Sequence, residues 1–149
     1  MKTSSKTKNG NRIIRIIACG FKFGAPPPDA ALVIDCRGLV NPHYDPKLRP
    51  KTGASRAVAS YLEKDEEVRA LLVTVAPLLK ALLPGLITRS NYHKEEVKLV
   101  FACTGGKHRS RFFALHAAGI VRHLIASHPS WDCTVVINYR DQGLEKEES

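Results

Sequence analysis

The stretch VKLVFACTGGKHRS, Val97 to Ser110, decides the fold. Val97, Leu99, Val100, Phe101 and Ala102 form a nearly continuous apolar run of strand length, the pattern of a strand covered on both faces in a parallel α/β sheet. Gly105 and Gly106 then remove the side chains that would block close approach of the backbone. Lys107, His108, Arg109 and Ser110 follow as a helical period begins, predicting a helix from about His108 to Ser127. Its core face carries Phe113, Ala117, Ile120, Val121, Leu124 and Ile125, with Arg111 and Arg122 elsewhere on the circumference. A strand, a glycine turn and a cationic helix N-terminus make a natural anion pocket. Backbone N–H groups point outward, the helix dipole favours negative charge, and Arg grips two oxygens at once. Glycines alone would fit a turn built for packing; glycines with Lys, His, Arg and Ser favour the anion site.

Working outward, residues 13–19 read as a first strand leading into Gly20-Phe21-Lys22-Phe23-Gly24, from which Lys22 reaches a ligand at the strand's end. Pro26, Pro27 and Pro28 make a stiff connector. Residues 31–36 are a second strand. Residues 41–53, with Pro42, Pro46 and Pro50, are a long ordered loop offering His43, Tyr44, Asp45, Lys47 and Arg49. A short helix over residues 55–64 turns Ala57, Val58 and Leu62 to the core. A second begins after the N-cap Asp65 and carries a stripe of Val68, Leu71, Leu72, Val75, Leu78, Leu79 and Leu82. Pro77 is expected to kink or divide it, and Pro84 with Gly85 to end it. Residues 89–96 read as a polar surface loop. Residues 134–138 are the last strand, followed by Tyr139-Arg140-Asp141. The order predicts a single-domain α/β layered sandwich with a mostly parallel sheet and the anion-binding loop between a central strand and a long helix. Ligands bind at the carboxyl ends of such strands, so the loops at Gly20, Asn41, Cys103 and Tyr139 should share one rim.

The 149 residues suffice for one domain with a real core. We read residues 1–12 as a basic disordered arm, 13–141 as the domain and 142–149 as an acidic mobile tail. No apolar run reads as approaching membrane-span length, and no secretory leader is seen, so a cytoplasmic location and no membrane partner are expected. Cys19, Cys36, Cys103 and Cys133 form no CxxC pair and read as reduced thiols. His116, His123 and His128 read as surface or cap residues, and neither a metal nor a cofactor is expected. The net charge of +9 favours polyanions or phosphorylated ligands, although a solvated basic face would give the same number.

Three segments together carry a family resemblance: CTGGKHRS after its strand, GFKFG at Gly20 to Gly24, and DCRGLVNPHYDPKLRPKTG from Asp35 to Gly53. In order and spacing they resemble the C-terminal domain of the RapZ, or YvcJ, family. The resemblance implies a domain that senses an amino-sugar phosphate such as glucosamine-6-phosphate and carries an RNA-binding surface, in an adaptor that delivers small RNA to an endoribonuclease. The motif positions are His43, Thr104, Gly105, His108 and Arg109; with Gly106, Ser110 and Lys22 they make the expected ligand set. Lys107, Arg111, Arg140, Lys47 and Arg49 are the expected RNA contacts. The family's P-loop kinase-like domain is expected to be missing, because no Gly-x-x-x-x-Gly-Lys-Ser/Thr occurs, so a separate P-loop or ribonuclease protein would be the partner. Tyr139-Arg140 stands where the family has His-Arg, and the last residues are acidic where the family's tail is basic.

Two alternatives accompany this reading. Cys103 to Arg109 also satisfies Cys-x5-Arg, which resembles the loop of cysteine phosphatases; Cys103 would be the nucleophile and Asp45 the acid if the proline loop folds over. An RNA-binding module without a metabolite is the other, using the basic arm and the cations above, although no aromatic single-strand motif supports sequence readout.

Overall fold

The computed structural model describes residues 11–89 and 95–144. Strand β1 (Arg12–Gly20) is followed by β2 (Leu32–Asp35), helices α1 (Arg56–Glu63) and α2 (Glu66–Thr88), β3 (Glu96–Cys103), α3 (Arg109–Ser127) and β4 (Cys133–Tyr139). The four strands form one sheet in the order β2-β3-β1-β4, and every pairing is parallel. All four therefore end at the same edge. Gly20 stands opposite Cys103 there, because β1 and β3 pair without a slip from Ile13 and Glu96 onward.

The alternation of β1 and β3 sorts their side chains between two faces. Ile14, Ile16, Ala18, Val97, Leu99, Phe101 and Cys103 join one core cluster with the buried residues of all three helices. Phe101 lies stacked on Phe113 of α3 at 6.3 Å between ring centroids. The opposite face carries a smaller cluster of Ile17, Cys19, Val100 and Ala102, packed against Phe21 and Ala30. The expected two-sided cover is thus asymmetric: helices lie on one face, and a proline-rich strap on the other. Lys98 fixes the strap through a 2.9 Å ion pair with Asp29 and by accepting a 2.9 Å bond from the Ala31 N–H at its carbonyl.

Helix α2 is not divided at Pro77, does not end at Pro84 and Gly85, and is an apolar run of membrane-span length that the sequence reading missed. It runs unbroken through Pro77 and Pro84 to Thr88. Each proline removes one backbone bond and costs about 3 kcal/mol in a helix interior. Beyond Pro84 the helix buries Ile87 beside Leu83, and a buried aliphatic side chain stabilises by about 1.5–3 kcal/mol. The Thr88 hydroxyl also donates to the Pro84 carbonyl at 2.7 Å, so together these offset the loss. Because the prolines do not divide it, α2 has 23 residues, and its most apolar 18-residue stretch has a mean hydropathy of 2.0, long and apolar enough by length and composition to cross a membrane. It sends Val68, Val75, Leu79, Leu83 and Ile87 into the core. In α1, Val58 and Leu62 are buried as expected, whereas Ala57 is exposed. Ser55 and Asp65 cap α1 and α2 by accepting from Val58 and from Glu67 and Val68.

Of the basic arm, Arg12 belongs to β1, paired with Cys133, and residues 1–10 lie outside the described residues. So do residues 90–94 of the expected polar loop and 145–149 of the acidic tail.

Candidate functional site

The end of β3 is shaped by close backbone approach. Gly106 has φ +75°, and a Cβ there would lie 2.7 Å from the Gly20 nitrogen. A Cβ on Gly20 would in turn lie 2.5 Å from the Gly105 carbonyl carbon. The glycines of the GFKFG and CTGGKHRS segments therefore interlock, and the Lys22 N–H donates to the Thr104 carbonyl at 3.0 Å. The proline loop closes on the other side. Asn41 Oδ1 accepts from the His43 N–H at 3.1 Å and Arg49 Nε donates to the His43 carbonyl at 2.9 Å. The Gly53 N–H donates to the Lys107 carbonyl at 2.9 Å, and His108 Nε2 lies 3.1 Å from the Leu48 carbonyl.

Between these loops lies a cavity of about 260 Å³. His43, Thr104, Gly105, His108, Arg109 and Lys22, six of the eight expected ligand residues, line it. Gly106 and Ser110 are buried in the same loop. Arg49 and Lys107, expected to contact RNA, face this cavity instead, with Asn41, Tyr44 and Cys103. Among the described residues, four cations line the site and no carboxylate does.

Arg109 is 3% exposed, and its Nη1 donates to the carbonyls of Arg37 (3.1 Å) and Leu39 (2.9 Å). Its Nε is buried with no hydrogen-bond partner among the described residues. Arg109 is among the residues that line the cavity, so its guanidinium sets a largely desolvated positive charge beside it. Cys103 Sγ accepts from the Gly106 N–H at 3.3 Å and lies 3.3 Å from Ser110 Oγ. Asp45 does not line the cavity; its Oδ1 accepts from the Lys47 N–H in a local turn. The proline loop thus brings His43 and Arg49 to the site, not the acid that the phosphatase alternative needs.

Two other expected RNA contacts are structural. Arg111 is buried, its guanidinium 4.4 Å above the Tyr139 ring. Arg140 donates to the carbonyls of Gly20, Gly24 and Ala25 and to Asp141. Lys47 remains exposed. Asp141, which the sequence did not single out as a functional residue, is 4% exposed and accepts from the Gly20 N–H at 2.7 Å. Its signal was an Arg-Asp pair directly after an apolar strand. Asp141→Ala should destabilise the fold by about 2–3 kcal/mol, less than a fully buried pair because Arg140 is partly open to water. Chemical denaturation reads this, and Asp141→Asn should recover part of the loss.

Burial, then the positive charges of Arg49, Lys22 and Lys107, hold His43 below the ordinary histidine value. Burial is also the main cause at His108; its backbone acceptors Leu48 and Lys51 oppose the shift and Lys107 adds to it. Both imidazoles bind protons less readily when folded than when unfolded. Their stabilising contribution is therefore complete above the unfolded value of about 6.5 and is lost as pH falls through it toward the lower folded values. Denaturation midpoints should decline below about pH 6.5, and His108→Gln should flatten that decline more than His43→Gln, since His43 is exposed.

Residues 12–142 match the RapZ C-terminal domain. The chain is 43% identical over 103 residues to the "RNase adapter protein RapZ" of Erwinia tasmaniensis, and equally so to that of Serratia proteamaculans, covering 69% of this chain and 35% of each relative. It is 38% identical over 125 residues to a "Nucleotide-binding protein" of Aeromonas hydrophila, covering 83% of the chain and 42% of the relative. The chain thus spans well under half the length of these curated relatives. The interlocked glycines, the cationic cavity and this match over nearly the whole described fold converge: the chain belongs to the RapZ C-terminal domain family.

Proposed function

We propose that this chain is a regulatory domain that binds a phosphorylated small molecule, an amino-sugar phosphate such as glucosamine-6-phosphate, in the cavity at the end of β3. The observation that carries the reading is a small cavity lined by Arg109 and three further cations, Lys22, Arg49 and Lys107, with no carboxylate among the described residues that line it. The phosphate lies against Arg109 and the N–H groups of the Gly105–Gly106 turn, while Thr104 and His108 bond ligand oxygens and His43 closes over it. The cavity has the size of one small molecule rather than of a polymer. A thermal-shift series with glucosamine-6-phosphate, glucose-6-phosphate, inorganic phosphate and nucleotides tests this. The expected order places glucosamine-6-phosphate first. No shift with any phosphorylated compound refutes the site.

A role as an RNA adaptor in the cytoplasm is the second reading, favoured by the charge of +9 and by the RNase-adapter name of the RapZ relatives. A ribonuclease or a separate P-loop protein is then the partner. Deleting residues 1–10, which carry Lys2, Lys6 and Lys8, should weaken binding of a structured RNA and flatten its salt dependence, leaving sugar-phosphate binding unchanged. RNA binding with no salt dependence, or none, refutes this second reading.

A further inference from the structure

We propose that His43 makes anion binding in this cavity proton-linked: its imidazole stays neutral until a dianion enters and then takes up a proton, so the site responds to pH and to a phosphorylated ligand together. The inference rests on the anion-site reading above and adds a regulation of that same site. His43 lines the cavity from an exposed turn, and its position is set through its backbone. Asn41 Oδ1 accepts from the His43 N–H, Arg49 Nε donates to the His43 carbonyl, and the preceding Pro42 is buried. Among the described residues no protein group bonds the ring nitrogens; the Tyr44 ring stands edge-on, 6.2 Å away between centroids. A pinned backbone with an uncommitted imidazole leaves both nitrogens to solvent or a ligand. His108, the other imidazole on the lining, is 5% exposed, and its Nε2 is engaged with the Leu48 carbonyl. It is therefore not the ring that answers a ligand.

The charges around the ring give the coupling its sign. Arg49 faces the cavity from the loop of His43 itself, Lys22 from the loop after β1, and Lys107, His108 and Arg109 from the loop after β3. Asp45, two residues on, accepts from the Lys47 N–H and does not line the cavity. Burial, and then Arg49, Lys22 and Lys107, oppose a proton on His43. A dianion among these cations reverses the local field and makes that proton about tenfold or more harder to remove. By linkage, the proton strengthens anion binding by the same factor. Affinity is thus lowest well above the ligand-bound titration of His43. It rises as pH falls through that titration and levels off below the ligand-free one. The permanent cations hold the anion at every pH, and His43 adds a contact that only a proton can supply.

Sulfate is the probe, because it keeps both charges throughout, whereas a phosphate ester regains its second proton near about pH 6. Titration calorimetry of the full chain at constant ionic strength should show affinity rising about tenfold from about pH 8 to about pH 5.5. Repeating it near neutral pH in buffers of different ionisation enthalpy should reveal proton uptake on binding. The assigned His43 imidazole NMR signal of the native chain should titrate at a higher pH with sulfate than without. His43→Gln should remove both the slope and the uptake, and His108→Gln should retain them. The NMR titration needs no variant, so it stays decisive if either substitution fails to fold. Sulfate binding with a flat pH profile overturns the coupling and leaves the anion site standing. So does a slope that survives in His43→Gln while the His43 signal stays where it was. Failure of sulfate, inorganic phosphate and glucose-6-phosphate to bind at any of these pH values overturns both.

Discussion

Gly53→Ala is expected to cost at least about 3 kcal/mol of stability, the largest effect of any single methyl group added to this chain. A Cβ at Gly53 would stand 2.1 Å from the His108 carbonyl oxygen and 2.5 Å from the Phe112 nitrogen. Both are backbone atoms of the first turn of α3, so no side chain can rotate away. Relief requires the proline loop to lift, which breaks the Gly53–Lys107 bond and pulls Leu48 from His108. The damage should therefore reach the site as well as the fold. Urea denaturation should show a lower midpoint, and the protection given by a sugar phosphate should shrink with it. Gly38→Ala is the control, because a Cβ there meets nothing within 4 Å. Equal stability of the two variants would show that the proline loop is not clamped to α3.

Arg109→Ala should weaken phosphate-ligand binding by about 1.5–3 kcal/mol, roughly tenfold to more than a hundredfold, because a charge-assisted contact is lost inside a desolvated cavity. The same change leaves the Arg37 and Leu39 carbonyls without their donor, so a separate stability loss of about 1–2 kcal/mol is expected. Titration calorimetry on the folded fraction separates the two effects. Arg109→Lys should restore charge but not the planar fork, recovering only part of the affinity. Undiminished binding in Arg109→Ala would move the phosphate away from this wall, toward Lys22, Arg49 and Lys107.

The sheet and the glycine loop were legible because both are local. The apolar run from Val97, the paired glycines and the cationic helix start lie within fourteen residues, and strand polarity follows from helix-length crossovers. The parallel sheet and the meeting of His43 with Arg109 at its edge are both present in the structure. Where periodicity was the only guide, the reading slipped. The stripe on α2 was placed correctly at Val68, Val75 and Leu79 but stopped short of Leu83 and Ile87, since proline's local cost was weighed without the burial that offsets it.

The sequence by itself determined the fold class, the glycine loop between strand and helix, and the rim where the strands end. Only the tertiary structure decided what each cation does. Arg49 and Lys107 face the cavity because the proline loop docks through Gly53 and His43; Arg111 lies over Tyr139, and Arg140 ties β1 to Asp141. A basic residue reads the same in sequence whether it meets solvent, a ring or a ligand. Its environment is set by contacts with residues far along the chain, and these arise only when the loops close over the end of the sheet.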